Sequence, residues 1–274
     1  MPALQRVPPQ PVTELVDHDA ALELLAHGEI EVIGRLREAS NQTFAVRLRS
    51  GSAESLAVYK PIAGEAPLWD FPDGTLAARE YSAYLVSEAL GWHLVPPTIL
   101  RDGPAGLGML QTWIETTDDV MPVQVVRRGA EGDLLRVLDA EDQWGRSVTL
   151  VHEENPALRR IAVFDIIINN TDRKGGHVLP VDGGHRFGID HGVCFHVDSK
   201  LRTVLWGWAG SRLGEDEVSA VSGLLADREL LDRLKELLAE DEVDALRARC
   251  ARLLRAGELP VPRGDWPPIP WPPL

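Results

Sequence analysis

The spacing of apolar residues changes once along this chain, and that change constrains the fold more than any other feature. Over Glu29 to Leu36, Thr43 to Arg49 and Ser55 to Lys60, apolar and polar residues alternate, the period of half-buried strands. The third stretch stops at Pro61, which has no N–H to give to a ladder. Two further apolar stretches, Val95 to Leu100 and Leu107 to Ile114, are split by an Arg-Asp-Gly-Pro turn and read as a hairpin. Between the third strand and that hairpin, Leu76, Ala77, Tyr81, Tyr84, Leu85 and Ala89 recur at helical spacing, and Gly91 closes the helix. A short helix over 19–27, ended by Gly28, precedes the strands. After a polar connector at 115–119 the pattern becomes mostly helical. Asn155-Pro156 starts one helix, since Asn caps free N–H groups and Pro fits the first turn. It carries Leu158, Ile161, Ala162, Phe164 and Ile168. Amphipathic helices follow over 215–225 and 226–255. The expectation is an α+β chain: a β-rich part over 17–114 with one prominent helix, then a mostly helical part over 115–257.

Composition narrows the function. The chain has 274 residues, 44% hydrophobic and 26% charged, so it can bury a real core. Its net charge of −14 argues against a nucleic-acid backbone or an anionic membrane surface as main partner. Two cysteines, Cys194 and Cys250, make no disulfide framework, and no Cys-x-x-Cys pair suggests zinc. Residues 1–16 are Pro-rich without an apolar core, which reads as an extended arm and not a signal peptide. The longest apolar run, 161–168, is broken by Asp165 and is too short to span a bilayer. The expected setting is a reducing cytoplasm. The tail, 258–274, is rich in Pro and Trp. It fits either a polyproline ligand for a protein partner or a segment packed back on its own domain.

The chemistry concentrates at 169–177, Asn-Asn-Thr-Asp-Arg-Lys-Gly-Gly-His, followed by a hairpin (177–181 and 185–189, turning at Asp182-Gly183-Gly184) and then Asp190-His191-Gly192. An Asp after a helix, then a hairpin, then a second Asp with Gly behind it, is the layout of a kinase catalytic loop and metal loop. In that layout Asp172 orients or accepts the proton of the attacking hydroxyl, and Asp190 holds a metal against the phosphates. Lys60 at the end of the third strand and Glu80 on the following helix supply the complementary phosphate-binding pair. The turn of the first hairpin, Ser40-Asn41-Gln42-Thr43, would lie over the phosphates. It has no G-x-G-x-x-G, but its small polar residues offer donors. Asp165 interrupts an apolar helix face and reads as a buried carboxylate holding the loop by hydrogen bonds.

Asn170-Thr171-Asp172-Arg173, Ile189-Asp190-His191-Gly192 and Lys60-Pro61 resemble, in order, the catalytic loop, metal motif and strand Lys-Pro of the phosphatidylinositol 3-/4-kinase-like group. The type II phosphatidylinositol 4-kinases are the nearer likeness, and HipA-type toxin kinases the more distant one. Within that group the chain looks most like an actinobacterial kinase-like family. The resemblance covers roughly 33–195. It implies a two-lobed protein-kinase-like fold that uses ATP and Mg²⁺. By it, Asp172 and Arg173 belong to the catalytic loop, Asp190 holds metal, and Lys60 contacts phosphate with Glu80 as partner. Gln111 to Trp113 form the hinge that meets adenine. The chain departs from the group at His177, where Asn is usual as second metal ligand. Imidazole favours softer cations than Mg²⁺, which brings in Mn²⁺.

Three functions follow. A phosphotransferase would act on a soluble protein or small-molecule hydroxyl, because the chain lacks the Cys-rich insert and basic surface of the lipid kinases. A metal-dependent phosphohydrolase would use Asp172, His177, His185, Asp190, His191 and His196 as ligands, but leaves Lys60 and Glu80 unexplained. A nucleotide-binding pseudokinase would bind without turnover. Arg173 and Lys174 read equally as phosphate contacts or as solvated loop charges.

Overall fold

In the computed structural model, residues 17–36, 41–116, 121–263 and 266–274 are described; the expected arm at 1–16, Ser40 and part of the 115–119 connector lie outside them. The first lobe is one antiparallel sheet of five strands in the order β1-β2-β3-β5-β4. Its strands are β1 (Glu29–Leu36), β2 (Thr43–Ser50), β3 (Ala53–Pro61), β4 (Thr98–Gly103) and β5 (Gly106–Thr112). Alternation decides which faces are covered: Val46, Leu48, Ala57, Tyr59 and Leu110 close over Leu24 and Leu25 of α1 (His18–His27). Helix α2 (Leu76–Ala89) lies between β3 and β4 in sequence. Pro61 pairs with Gly108 as the last residue of β3.

The second lobe holds an element the residue pattern did not reveal. A three-stranded antiparallel sheet, ordered β6-β8-β7, is built from β6 (Val123–Arg127), β7 (Leu135–Glu141) and β8 (Ser147–His152). Its β7–β8 turn is set by Asp142, whose carboxylate accepts the N–H groups of Trp144 and Arg146. Helix α3 (Pro156–Ile168) follows, capped as expected by Asn155, whose Oδ1 accepts from Ala157 and Leu158. Next come the short hairpin strands β9 (Val178–Pro180) and β10 (Arg186–Gly188), then α4 (Glu215–Ala226), α5 (Arg228–Lys235) and α6 (Glu240–Ala256).

The single helix expected over 226–255 is therefore two. Local capping breaks it: Asp227 accepts from Leu230 N to start α5, and Glu242 accepts from Ala239 N to start α6. One apolar core joins α2 (Ala83, Val86), α3 (Ile161, Phe164, Ile168) and α6 (Val243, Leu246), so α2 belongs to both lobes. The Pro/Trp tail packs on its own chain. Pro268 O accepts from Thr203 N and Trp206 Nε1, and Pro273 O accepts from Gly175 N. Gly175 has no room for a side chain, because a Cβ there would meet Leu274 and Val123. Among the described residues no helix is long and apolar enough to cross a membrane.

Candidate active site

The loop after α3 is built around one carboxylate. Asn169 adopts a left-handed φ of 54° and ends the helix. Asp165, wholly buried, then accepts from Asn170 Nδ2 (3.0 Å), from Arg173 Nε and Nη2 (3.0 and 2.9 Å), and from Thr203 Oγ1 (3.3 Å). Asn170 Oδ1 in turn accepts from Asp172 N at 2.9 Å, and Thr171 Oγ1 donates to Val193 O at 2.8 Å. Each of these groups satisfies a buried neighbour, so the backbone of Asp172 is held from behind while its carboxylate stays partly exposed. Lys174 Nζ lies 3.0 Å from that carboxylate.

Arg173, read from sequence equally as a phosphate contact or a solvated loop charge, is not solvated. Its guanidinium is fully buried and also donates to Ile189 O (2.9 Å) and His177 O (3.2 Å), with Nη2 2.7 Å from His191 Nε2. Every donor direction is committed to the protein, so Arg173 ties the two loops together. Because Arg only donates, His191 accepts at Nε2 and carries its proton on Nδ1, 4.0 Å from Glu80 Oε2. Burial, reinforced by the Arg173 charge, drives the His191 pKa well below the usual histidine value and keeps it neutral.

The two lobes meet at Lys60. Its Nζ lies 2.6 Å from Glu80 Oε1 on α2 and 2.8 Å from Asp190 Oδ1. Glu80 Oε2 also accepts from His191 N at 2.8 Å, which ties α2 to the second loop. Asp190 itself sits at a left-handed φ of 62°. Burial disfavours the Lys60 ammonium, but the Asp190 and Glu80 carboxylates outweigh it and hold its pKa above the usual lysine value. The Lys60 charge, helped by His177, holds Asp190 well below the usual carboxylate range. His177 Nε2 is 3.4 Å from Asp190 Oδ2, and its buried Nδ1 has no hydrogen-bond partner. Burial lowers the His177 pKa despite the nearby carboxylate. An ionised carboxylate beside a neutral imidazole is an N/O donor pair that fits a divalent cation.

Other expected residues are placed differently. Asn41 Oδ1 accepts from Ala66 N (2.7 Å) and Gln42 N donates to Gly64 O (3.0 Å), so this turn is laced to the 62–66 segment. Thr43 is buried at the start of β2, and its hydroxyl donates to Asn41 O at 3.4 Å. Gln111 is buried, spends its amide on Thr98 Oγ1 at 2.9 Å, and lies within the sheet opposite Val58 of β3 and Thr98 of β4. Trp113 N donates to Leu56 O, and its ring is part-exposed. Of the six histidine and aspartate ligands a hydrolase would use, His177 and Asp190 come together. His185 instead bonds His93 O, His191 bonds Arg173, and His196 bonds Lys200. Two supporting residues gave no local signal. Glu65 accepts from Leu76 N and Ala77 N at the start of α2, and Arg79 reaches Cys194 O (2.8 Å) and Glu242 (2.7 Å) across the lobes.

No family model matches the chain. Protein Rv2133c of Mycobacterium tuberculosis is 50% identical over 262 residues, covering 91% of this chain and 94% of that protein. The chain belongs to the Rv2133c family. Beyond this family, phosphatidylinositol 4-kinase gamma 4 of Oryza sativa subsp. japonica is 23% identical over 257 residues, 79% of this chain and 40% of that protein. Phosphatidylinositol 4-kinase gamma 5 of Arabidopsis thaliana is 34% identical over 103 residues, 33% of this chain and 16% of that protein. The chain thus spans less than half the length of these plant proteins. Among solved structures, the Helicobacter pylori proinflammatory kinase CtkA aligns with a TM-score of 0.39 at 11% identity, over 84% of this chain and 93% of that one.

Proposed function

We propose that this member of the Rv2133c family is an ATP- and divalent-metal-dependent phosphotransferase acting on a soluble hydroxyl acceptor. One observation carries the reading: a strand lysine, Lys60, is clamped between a helix carboxylate, Glu80, and the Asp190 carboxylate of the second loop, at 2.6 and 2.8 Å. This is the lysine–helix glutamate pair and metal aspartate that phosphoryl transfer in kinase folds requires. Similarity in sequence to proteins named phosphatidylinositol 4-kinases supports the same class. Asp172 orients the acceptor hydroxyl and takes its proton as the oxygen bonds to the γ-phosphorus. The bond from that phosphorus to the β–γ bridging oxygen breaks, and ADP leaves. Lys60 offsets negative charge on the α- and β-phosphates. Asp190, with His177, would hold the metal, which when bound neutralises charge on the phosphates. The His177 imidazole makes Mn²⁺ an alternative to Mg²⁺.

The test is thermal unfolding with ATP, GTP or ADP, each with Mg²⁺ or Mn²⁺. A ligand that binds only the folded state raises its stability by mass action. A metal-dependent rise with ATP that Asp190→Ala abolishes and Lys60→Ala strongly reduces is the expected result. A response to metal alone, unaffected by Lys60→Ala, would favour the hydrolase and sink this reading. Binding without turnover of γ-labelled ATP on protein and polyol acceptors would identify the pseudokinase instead.

A further inference from the structure

Two turns along α2 from Glu80, a second set of donor atoms converges that phosphoryl transfer does not use. Glu88 Oε2 lies 3.2 Å from His18 Nε2 on α1 and 2.9 Å from His93 Nδ1 in the turn after α2. The three ligand atoms lie within 4.8 Å of one another. The Tyr84 hydroxyl, one turn back on α2, is 3.0 Å from the same His18 nitrogen. His93 is not placed by chance. Its φ of 49° is uncommon for a residue with a side chain, and its carbonyl accepts from His185 Nε2 at 3.0 Å. The next residue, Leu94, donates its N–H to Ser87 Oγ at 2.7 Å, which folds the turn back onto α2.

We propose that His18, Glu88 and His93 form a binding site for a first-row transition-metal dication of the Zn²⁺ type, separate from the nucleotide cleft. Two imidazoles and one carboxylate make a borderline N/O set, the kind that binds Zn²⁺ through three protein ligands with a position left for water. Mg²⁺ and Ca²⁺ require more oxygen ligands than one carboxylate and a phenol supply. A cation held between His18 Nε2 and the Glu88 carboxylate, 3.2 Å apart, would take the Nε2 lone pair that the Tyr84 hydroxyl otherwise uses. The three ligands come from three separate segments: α1, the end of α2 and the turn leading to β4. A bound ion therefore ties α1 to α2. Through His93 and its bond to His185, it also ties α2 to the hairpin that leads to Asp190.

The experiment is calorimetric titration of the full chain, stripped of metal with chelator and dialysed, with ZnCl₂ alone. Co²⁺ absorption in the visible serves as an independent report of imidazole coordination. One equivalent of Zn²⁺ is expected to bind. His93→Ala and Glu88→Gln should each weaken it at least about tenfold. Asp190→Asn should leave it unchanged. His93 is 61% exposed, so its truncation leaves the fold intact, and metal-free unfolding midpoints equal to wild type check this. No Zn²⁺ bound by the wild type, affinity unaltered in both variants, or loss of the site in Asp190→Asn would each overturn the proposal. The last outcome would assign the ion to the nucleotide cleft, and a hydrogen-bonded His–Glu–His cluster would remain as the account of these residues.

Discussion

Asp165 and Arg173 form a fully buried ion pair whose hydrogen bonds run to both loops of the site. Removing the charge from one partner strands the other in low dielectric. Asp165→Asn is therefore expected to cost about 3–5 kcal/mol, read from the shift in urea midpoint. Arg173→Lys should also destabilise, because an ammonium cannot reach Asp165, Ile189 O and His191 together. The histidines set a pH dependence. Burial lowers His152, His177 and His191 in the folded chain, so they stay neutral there. Unfolded, each takes up a proton below about pH 6.5. The unfolded state then binds more protons, and stability falls as pH drops. Urea unfolding should give a flat stability between about pH 7 and pH 8 and a decline from about pH 6.5 downward. His191→Gln, which keeps an acceptor for Arg173, should make the decline shallower. Asp165 was legible in the sequence as a polar interruption of an apolar helix face. Arg173 was not, because a loop arginine looks the same whether it turns outward or into the core.

Helix α2 is the element on which the site depends. Glu80 and Arg79 are adjacent on it and both are buried, one facing Lys60 and the other the second lobe. Its N-terminus has no side-chain cap from Thr75; the carboxylate of Glu65, eleven residues upstream, accepts the N–H groups of Leu76 and Ala77 instead. A carboxylate there also interacts favourably with the helix dipole. Glu65→Ala should cost about 1–2 kcal/mol and speed amide exchange at Leu76 and Ala77. The helix itself was plain in the apolar spacing, whereas its cap was not, since no local capping pattern links residues so far apart in sequence. The β6–β8 sheet was missed for a related reason. Its central strand β8 buries four consecutive residues, Thr149 to His152, and β7 is mostly exposed, so neither shows a clean alternation of buried and exposed positions.

At the scale of the whole molecule, Arg79 joins the lobes. It is almost wholly buried, bridges to Glu242 on α6 at 2.7 Å and stacks over Phe71 at 4.8 Å. Arg79→Met would leave Glu242 without its partner and is expected to destabilise the chain by about 3 kcal/mol. If α2 carries Glu80 with it, the same variant should weaken the ATP-dependent thermal shift even where the chain remains folded. Retention of that shift would show that Lys60 and Asp190 keep their alignment without the tie. The tail adds to the same assembly, since Pro273 and Leu274 lie against Gly175 in the loop after α3.

Local spacing was enough to find the strands of the first sheet, helices α2 and α3, the order of Lys60, Glu80, Asp172 and Asp190, and the caps at Asn155 and Gly28, because these depend on neighbours a few residues away. Packing of the whole chain was needed to bury Arg173, to turn the Gln111 amide to Thr98, to carry Arg79 across the lobes, and to bring His18, Glu88 and His93 together. Those outcomes depend on which surfaces are removed from water together. Once a polar group is buried, its partner is whatever the packed chain brings within hydrogen-bond reach, and local spacing does not encode it.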